Sequence, residues 1–358
     1  MTLIDRYVMR QFLRVLLWAQ VSFAAVFMLV DLFDHVDNFI DDEARLVSIG
    51  KYYFFLLPRV VDLTLPVSML LAALFTMSIL SKNQEYTALL SAGQSLTRIT
   101  RSILLFAFVV AAAAGAWKEF VVAPANRHHH DVKEYEIGGG KRDELHAKRN
   151  LTYIGQDGRV YVAARFRPRP PTLQSLSVQT FEKGHLVKRI DAARARFEDG
   201  AWVLHTGAVR RFVDGREEVK LFATEKLGGV VEPPSEFARR SVKTEDMTWR
   251  ELSRFAAKVQ RSGGDATPYR ADMAQKISFP VINFLIVVLG ISLGARRRKT
   301  TLWSGFGLTL GLAVGYYLFM NFGLQLGRSG AVNVWVSAWA GDVVYAIAGG
   351  VLFLRANR

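Results

Sequence analysis

The sequence predicts an α-helical membrane protein with six transmembrane helices, in two groups of three, and an antiparallel β domain inserted between the groups. Hydrophobic residues make up 51% of the 358 residues, with 24 Phe and 7 Trp. They gather in runs close to the roughly 20 residues that a helix needs to cross a bilayer. Between the third and fourth runs, short β-prone segments are separated by turn dipeptides.

The apolar runs divide the chain into three parts. Residues 1–118 contain the first three spans, an N-terminal interfacial helix and a short helix at 82–93. Residues 119–269 contain the β domain and a return helix, and residues 270–358 contain the last three spans. The predicted spans are residues 12–30, 53–80, 103–117, 277–294, 302–326 and 334–354.

The N-terminal segment is basic and amphipathic. Arg6, Arg10 and Arg14 are four residues apart and so share one helical face. This pattern is typical of a helix at the membrane interface, with its cations near anionic headgroups. We expect this helix to run directly into the first span.

The short loops predict the orientation of the chain. One side carries most of the Lys and Arg residues, including Lys82, Arg98 and the basic turn at 296–299. The short loops of the other side are acidic. The positive-inside rule therefore places both termini and the 82–101 loop in the cytoplasm, and the β domain outside. The formal charge of +14 follows from this topology, and its dispersed cations do not predict nucleic-acid binding.

The loop between the second and third spans predicts a short helix. Ser81 is the expected N-cap, with Gln84 completing a capping box, and Gly93 is the expected C-terminal stop. Two interpretations stay open for this loop. It is a hairpin on the lipid headgroups, or a helix whose apolar face docks into a groove of a soluble partner. That face consists of Tyr86, Leu89 and Leu90.

The inserted domain predicts a sandwich or jelly roll of short antiparallel strands. Alternation places Trp202, Leu204 and Thr206 on one face of a strand, and Val219, Leu221 and Ala223 on one face of another. Helical spacing predicts a helix at 248–261 after the strands. The predicted turns are Asp157-Gly158, Lys183-Gly184, Asp199-Gly200 and Asp214-Gly215.

Sequence motifs of an enzyme are absent. There is no phosphate-binding G-x-x-x-x-G-K-[ST] and no H-E-x-x-H. The chain has no Cys, which excludes thiol chemistry. His128, His129 and His130 are adjacent, so on a helix they point in different directions and do not predict a metal site. We expect no cofactor or metal on this chain.

Short motifs spread along nearly the whole chain carry a resemblance. The motifs are Asp5-Arg6-Tyr7 with Arg10, Leu57-Pro58, Leu65-Pro66, Glu85 with Ser91-Ala92-Gly93, Ala123-Pro124, Tyr269, Lys276, Pro280, Leu289-Gly290-Ile291, Leu293-Gly294, Gly305 and Tyr316-Tyr317. In their order, with three spans on either side of a β domain, they resemble the LptF/LptG permease family of the lipopolysaccharide-export ABC transporter, with the LptG branch slightly favoured.

The resemblance implies a β-jellyroll fold for the inserted domain and a non-catalytic role in the cell inner membrane. It implies a paired LptF/LptG-type permease, an LptB-type cytoplasmic ATPase dimer that binds ATP and Mg, and an LptC-type periplasmic bridge protein. The substrate that the resemblance implies is lipopolysaccharide. The loop helix corresponds to the family's ATPase-coupling helix, with Glu85, Tyr86, Leu89, Leu90 and Gly93 as its candidate residues.

The resemblance also implies that spans one and five form a lateral gate for the lipid. The candidate gate residues are Phe23, Phe27, Phe33, Gly311, Gly315, Phe319 and Phe322.

The sequence departs from the family pattern at the outer end of span one. Where lysines facing lipid phosphates are expected in the LptG branch, the chain has Asp31, Asp34, Asp37, Asp41 and Asp42. Headgroup contact there requires bridging divalent cations, or other cations of this chain. The substitutes are Arg45, Lys51 and Arg59.

Two other classes of function stay open. A membrane-anchored periplasmic enzyme requires a polar triad or metal set within residues 119–269, and the sequence offers none. A membrane-anchored periplasmic assembly or structural protein does not require a coupling helix. Co-purification of an ATPase distinguishes the transporter subunit from both.

Overall fold

A computed structural model describes residues 3–138, 148–155, 158–182, 185–213, 216–228, 232–234, 237, 244–261, 265–296 and 302–357. The chain divides into two compact units, one of residues 1–139 with 270–358 and one of residues 140–269. The β strands all belong to the second unit, so the predicted insertion of a β domain between two groups of spans is confirmed.

The elements follow one another along the chain. The helices before the sheet are α1 (Leu3–Asp41), α2 (Leu46–Lys82), α3 (Glu85–Ser91), α4 (Leu96–Trp117) and α5 (Ala123–Asp131). The strands are β1 (Lys148–Ile154), β2 (Val160–Pro168), β3 (Pro171–Glu182), β4 (His185–Glu198), β5 (Ala201–Val213) and β6 (Arg216–Lys226). The helices after the sheet are α6 (Trp249–Arg261), α7 (Thr267–Ser278), α8 (Ile282–Arg296), α9 (Leu302–Arg328) and α10 (Val334–Ala356).

Six described stretches of helix are long and apolar enough to cross a membrane, as the sequence predicts. They are Leu3–Asp41, Leu46–Lys82, Leu96–Ile137, Thr267–Ala295, Gly305–Arg328 and Val334–Ala356. The cations of the basic turn at 297–299 lie outside the described residues.

The third span is longer than its apolar run. The run covers residues 103–117, but the helix continues through a π turn at Lys118–Val122, α5 and a second π turn at Val132–Ile137. Pro124 explains the first widened turn, since proline donates no N–H and its ring clashes with the carbonyl four residues earlier. Residues 119–138, which the sequence analysis assigns to the β domain, therefore belong to the helical unit.

The core of the helical unit is a close contact between α2 and α8. A Cβ built at Gly290 would lie 2.9 Å from the Ala73 Cβ, and one at Gly294 would lie 2.6 Å from the Leu74 carbonyl oxygen. Small residues four apart allow two helix backbones to approach in this way within a membrane. The glycines at 290 and 294 therefore fix the packing of these two spans.

The second unit contains a six-stranded antiparallel sheet within the described residues, in the sequential order β1 to β6. Its core includes Trp202, whose Nε1 donates to the Glu232 carbonyl oxygen at 2.7 Å, and Phe237, which is fully buried. The predicted turn at Asp199-Gly200 is confirmed, with φ angles of 47° and 76°. The other three predicted turns lie wholly or partly outside the described residues.

The sequential strand order bears on the predicted jelly roll. A jelly roll needs strands that cross between two sheets. Each described strand instead pairs with the strands that precede and follow it in sequence, as in a meander. The antiparallel sheet is confirmed, and the jelly-roll topology stays a prediction.

One predicted strand face is wrong. Thr206 is exposed with a φ of 51°, whereas Trp202 and Leu204 are buried. The next residue explains this irregularity: a Cβ at Gly207 would meet the Asp191 carbonyl oxygen and the Phe222 ring. The strand is therefore distorted at 206–207, and the alternation ends there.

The helix predicted at 248–261 is confirmed as α6. Thr248 Oγ1 accepts from the Glu251 N–H at 3.3 Å, and the Glu251 carboxylate accepts from the Thr248 N–H at 2.8 Å. This reciprocal pair is a capping box. Leu252, Ala256 and Val259 are buried on one face, as their spacing predicts.

Candidate functional site

The short helix α3 starts later than predicted. Ser81 is buried inside α2, which continues to Lys82, so the expected Ser81 cap is wrong. Gln84 occupies the N-cap position instead, in a left-handed conformation with a φ of 61° and no side-chain cap. The connection between α2 and α3 is therefore a tight turn of two residues, and this turn sets the direction of α3 relative to α2.

The predicted end of α3 is confirmed. Gly93 has a φ of 79°, its N–H donates to the Leu90 carbonyl at 2.9 Å, and the Gln94 N–H donates to the Leu89 carbonyl at 3.0 Å. These two bonds form a Schellman motif, which requires a left-handed residue at this position. Glycine adopts that conformation without steric cost.

The apolar residues of α3 point in two directions. Tyr86 is 7% exposed and belongs to the core of the helical unit, and Leu89 packs against that core. Leu90, in contrast, is 42% exposed. Burial raises the pKa of the Tyr86 hydroxyl above its ordinary value, so this side chain stays neutral. The helix is thus anchored by Tyr86 and Leu89, and its free surface includes Leu90, Ala88 and Ser91.

Glu85, at the start of α3, faces the N-terminal end of α1. Its Oε1 accepts from Asn83 Nδ2 at 3.2 Å, and hydrogen bonding and charge from its carboxylate raise the pKa of the nearby Tyr7 hydroxyl. The short helix therefore contacts α1 directly through a side chain that is only partly buried.

A buried carboxylate holds the ends of α1 and α4 together beside this helix. Asp5 is 1% exposed, and its two oxygens lie 3.5 Å from Arg98 Nη1 and 3.2 Å from Arg101 Nη2. Both arginines are predicted from sequence only as charges of the cytoplasmic loop, and their pairing with Asp5 was not predicted. Nothing in local spacing signals it, because the partners are more than 90 residues apart.

The predicted gate aromatics lie largely on the surface of the helical unit. The exposed fractions are 37% for Phe27 and 74% for Phe33 on α1, and 53% for Phe319 and 67% for Phe322 on α9. Phe23 stacks on Phe306 of α9, with ring centroids 6.2 Å apart and planes 12° from parallel. Phe306 was missed by the sequence analysis, and it brings α1 and α9 into contact.

The two predicted gate glycines differ in their surroundings. A Cβ at Gly311 would meet nothing within 4 Å, whereas one at Gly315 would lie 3.3 Å from the Tyr345 hydroxyl of α10. Gly315 therefore allows close packing of α9 on α10, and Gly311 leaves an open notch in the α9 surface.

The three candidate headgroup cations have different environments. Arg45 is exposed at the start of α2. Lys51 is exposed, but its Nζ forms an ion pair with Glu136 at 2.9 Å, and Ser48 also donates to that carboxylate. Arg59 is half-buried in α2. The structure does not bring the three cations into one cluster of ion pairs.

The outer end of α1 presents an acidic face. Asp34, Asp37 and Asp41 are exposed and three or four residues apart, so they share one face of the helix. Asp31, one turn earlier, accepts instead from the Tyr52 hydroxyl at 3.2 Å. In the part of the chain that the structure describes, no group of three metal-ligating side chains is close enough to hold an ion.

The three histidines differ in burial, since His128 is exposed, His129 is buried and His130 is half-buried. The His128 ring lies 5.2 Å from the Phe55 ring, and the His129 ring lies 4.3 Å from the Tyr52 ring. The His130 ring lies 5.5 Å from the His129 ring.

Two buried carboxylates lie within the spans. Asp62 of α2 is 6% exposed, and Lys118 Nζ lies 3.7 Å from its Oδ2. Asp342 of α10 accepts from the Tyr316 hydroxyl at 3.1 Å. Charged groups within a membrane span need such partners. Both bonds join neighbouring spans, so these residues hold the bundle together.

The helical unit and the inserted antiparallel sheet together define a multi-pass membrane protein with an inserted β domain. A family model described as lipopolysaccharide export system permease LptF/LptG matches residues 6–355. The chain belongs to this family. The match covers both branches, so the preference for LptG stays a prediction. A comparison with curated proteins found no match.

Proposed function

We propose that this permease extracts lipopolysaccharide from the outer leaflet of the inner membrane and passes it to a periplasmic bridge protein. The family match over residues 6–355 carries the proposal. In this role the chain pairs with a second LptF/LptG-type permease. It binds no nucleotide itself, and an LptB-type ATPase dimer supplies ATP hydrolysis with its own Mg.

The anchored helix α3 supports coupling to the ATPase. Tyr86 is fixed in the bundle core while Leu90 is exposed, so a partner that binds the free surface can displace the helix as a rigid body. The Glu85 contact with Tyr7 then carries the displacement to α1. The same helix provides the gate residues Phe27 and Phe33, which links the ATPase to the lipid path.

Exposed aromatics on α1 and α9 support the gate. The exposed rings of Phe33 on α1 and of Phe319 and Phe322 on α9 suit acyl chains, because contacts with rings are dispersive and individually weak. Weak contacts can break and re-form each time a lipid passes. The paired permease and the passing lipid are the groups that we expect to cover these faces.

The exposed carboxylates at the outer end of α1 limit how a lipid headgroup can bind there. The exposed carboxylates of Asp34, Asp37 and Asp41 repel lipid phosphates unless divalent cations bridge the two. Arg45 and Lys51 are exposed cations near the start of α2, and Lys51 would have to exchange Glu136 for a phosphate. We propose that Arg45 makes the first contact and that bridging cations complete it.

The sheet supports the transfer step. Val219 and Leu221 of β6 are 52% and 80% exposed and share one face of the strand. An exposed apolar strand face offers acyl chains a path from the membrane towards the LptC-type bridge protein.

The alternative is a membrane-anchored periplasmic assembly protein, and purification tests the choice. The full-length chain is tagged and purified in mild detergent, and ATPase activity is measured with and without lipopolysaccharide. A transporter subunit brings down an ATPase that lipopolysaccharide stimulates, and the Leu90→Asp variant brings down much less. Recovery of an intact permease pair without any ATPase would support the assembly role instead.

A further inference from the structure

The helix α1 is much longer than the membrane that it crosses. Its 39 residues extend about 58 Å, whereas the hydrocarbon core is roughly 30 Å thick. The stretch without charges lies between Arg14 and Asp31 and covers about 24 Å. The turns from Arg6 to Arg14 therefore lie at the level of the lipid headgroups.

A groove runs along this end of α1. Two rows of side chains border it, each with a spacing of four residues, one basic and one apolar. Rows with this spacing form the ridges of a helix surface. The groove has a volume of about 450 Å³ and is lined by Arg6, Met9, Arg10, Leu13, Arg14 and Leu17. We call it the N-terminal groove.

Within the part of the chain that the structure describes, the three arginines of the N-terminal groove form no ion pair. All three are exposed, and none of the described carboxylates pairs with them. Arg98 and Arg101, at the same end of the bundle, are in contrast bound to the buried Asp5. The opposite face of α1 supplies the core contacts through Val8 and Phe12. The bundle therefore uses one face of this segment and leaves the basic face free.

We propose that the N-terminal groove binds an anionic phospholipid, as a bound ligand distinct from the transported lipid. The guanidinium groups hold the phosphate, since their planar fork matches phosphate oxygens in pairs. One acyl chain lies along the apolar row, where Leu13 and Leu17 are 40% and 63% exposed. A small soluble anion would leave that row uncovered, and a lipid covers both rows at once.

Energy transfer from the groove to labelled lipids tests this proposal. The chain has no Cys, so Leu3→Cys, at a position that is 84% exposed, carries a single donor fluorophore one turn before Arg6. The full-length protein is reconstituted into phosphatidylcholine vesicles. Acceptor-labelled phosphatidylglycerol or acceptor-labelled phosphatidylcholine is then added as a minor component. We expect half-maximal transfer to labelled phosphatidylglycerol at a mole fraction on the order of tenfold lower than that needed for labelled phosphatidylcholine. High salt should reduce this difference between the two lipids.

Matched variants separate a site from general charge attraction. Arg10→Gln and Arg355→Gln each remove one exposed cation, but only the first lines the groove. Arg10→Gln should reduce the preference several-fold, and Arg355→Gln should leave it unchanged. The triple change Arg6→Gln, Arg10→Gln and Arg14→Gln should abolish it, whereas the same three changes to Lys should retain part of it because the charge remains.

Three results would overturn the proposal. They are equal transfer to the two lipids in the unchanged protein, a preference that survives the triple Gln change, and an equal loss in the Arg355→Gln variant. Because the arginines are exposed, the variants should fold, and circular dichroism with size-exclusion chromatography verifies this before the titration.

Discussion

Arg101 Nη2 lies 3.2 Å from Asp5 Oδ2 and joins the start of α1 to the first turns of α4. The carboxylate is almost completely buried, with 2% of its side chain exposed, whereas 53% of the Arg101 side chain is exposed. Loss of the partner therefore costs less free energy for the arginine than for the carboxylate. The exposed guanidinium is hydrated again by solvent, whereas the carboxylate remains charged and buried.

This asymmetry gives a stability prediction. Asp5→Asn should lower the free energy of unfolding by about 1–2 kcal/mol, through lost charge-assisted hydrogen bonds. The double change Arg98→Gln and Arg101→Gln should cost about 3–5 kcal/mol, because Asp5 stays charged and buried. Thermal unfolding in detergent gives the comparison. A larger loss in Asp5→Asn than in the double variant would contradict the assignment.

A second prediction concerns the free surface of α3. Glu85→Ala and Leu90→Asp should each weaken ATPase co-purification, with a loss of about 1–3 kcal/mol in binding for a lost anchor residue. Glu198→Ala, which removes an exposed carboxylate at the end of β4 and so lies outside α3, is the control for Glu85→Ala and should bind normally. Leu89→Asp is a poorer test, since Leu89 packs against the core. Normal recovery of ATPase with both test variants would remove α3 as the coupling element.

A third prediction concerns the contact of α2 with α8. Gly294→Ala places a Cβ 2.6 Å from the Leu74 carbonyl oxygen and 2.7 Å from the Met77 Cβ, so the helices must separate. We expect a loss of about 1–3 kcal/mol and a lower unfolding temperature. Gly350→Ala, where a Cβ would meet nothing within 4 Å, is the control and should be neutral or slightly stabilising. Equal effects of the two changes would show that the contact is not close.

A fourth prediction concerns orientation. Ser91→Cys on α3 and Glu198→Cys at the end of β4 are both at exposed positions, and the chain has no native thiol. A membrane-impermeant reagent applied to the periplasmic face should label Glu198→Cys at once. It should label Ser91→Cys only after the membrane is permeabilised. The reverse pattern would place the termini outside.

Local sequence signals predicted much of α3 but not its first residue. Gly93 ends the helix because a left-handed residue is needed there, and glycine supplies it regardless of distant contacts. Whether Ser81 caps a helix or continues one depends on how far α2 extends. Packing of α2 in the core sets that limit, with Leu80 completely buried.

In the gate and in the sheet, local sequence patterns predict the helices and strands, but contacts between distant residues decide how these elements pack. Apolar runs predict where spans lie, but the stacking of Phe23 on Phe306 depends on how separate helices pack. The period of two predicts strands, but the distortion at Gly207 arises from contact with Asp191 and Phe222 on neighbouring strands. Neither contact leaves a signal at its own position in the sequence.

Photo-crosslinking within the gate shows directly whether lipopolysaccharide passes between α1 and α9. A photoreactive residue replaces Phe27 on α1 or Phe319 on α9, and Phe108 on α4 serves as control. Phe108 is 64% exposed, so it contacts ordinary membrane lipid equally well. We expect lipopolysaccharide adducts in cells at Phe27 and Phe319 and only phospholipid adducts at Phe108. Phospholipid adducts alone at all three positions would contradict a lipopolysaccharide path between α1 and α9.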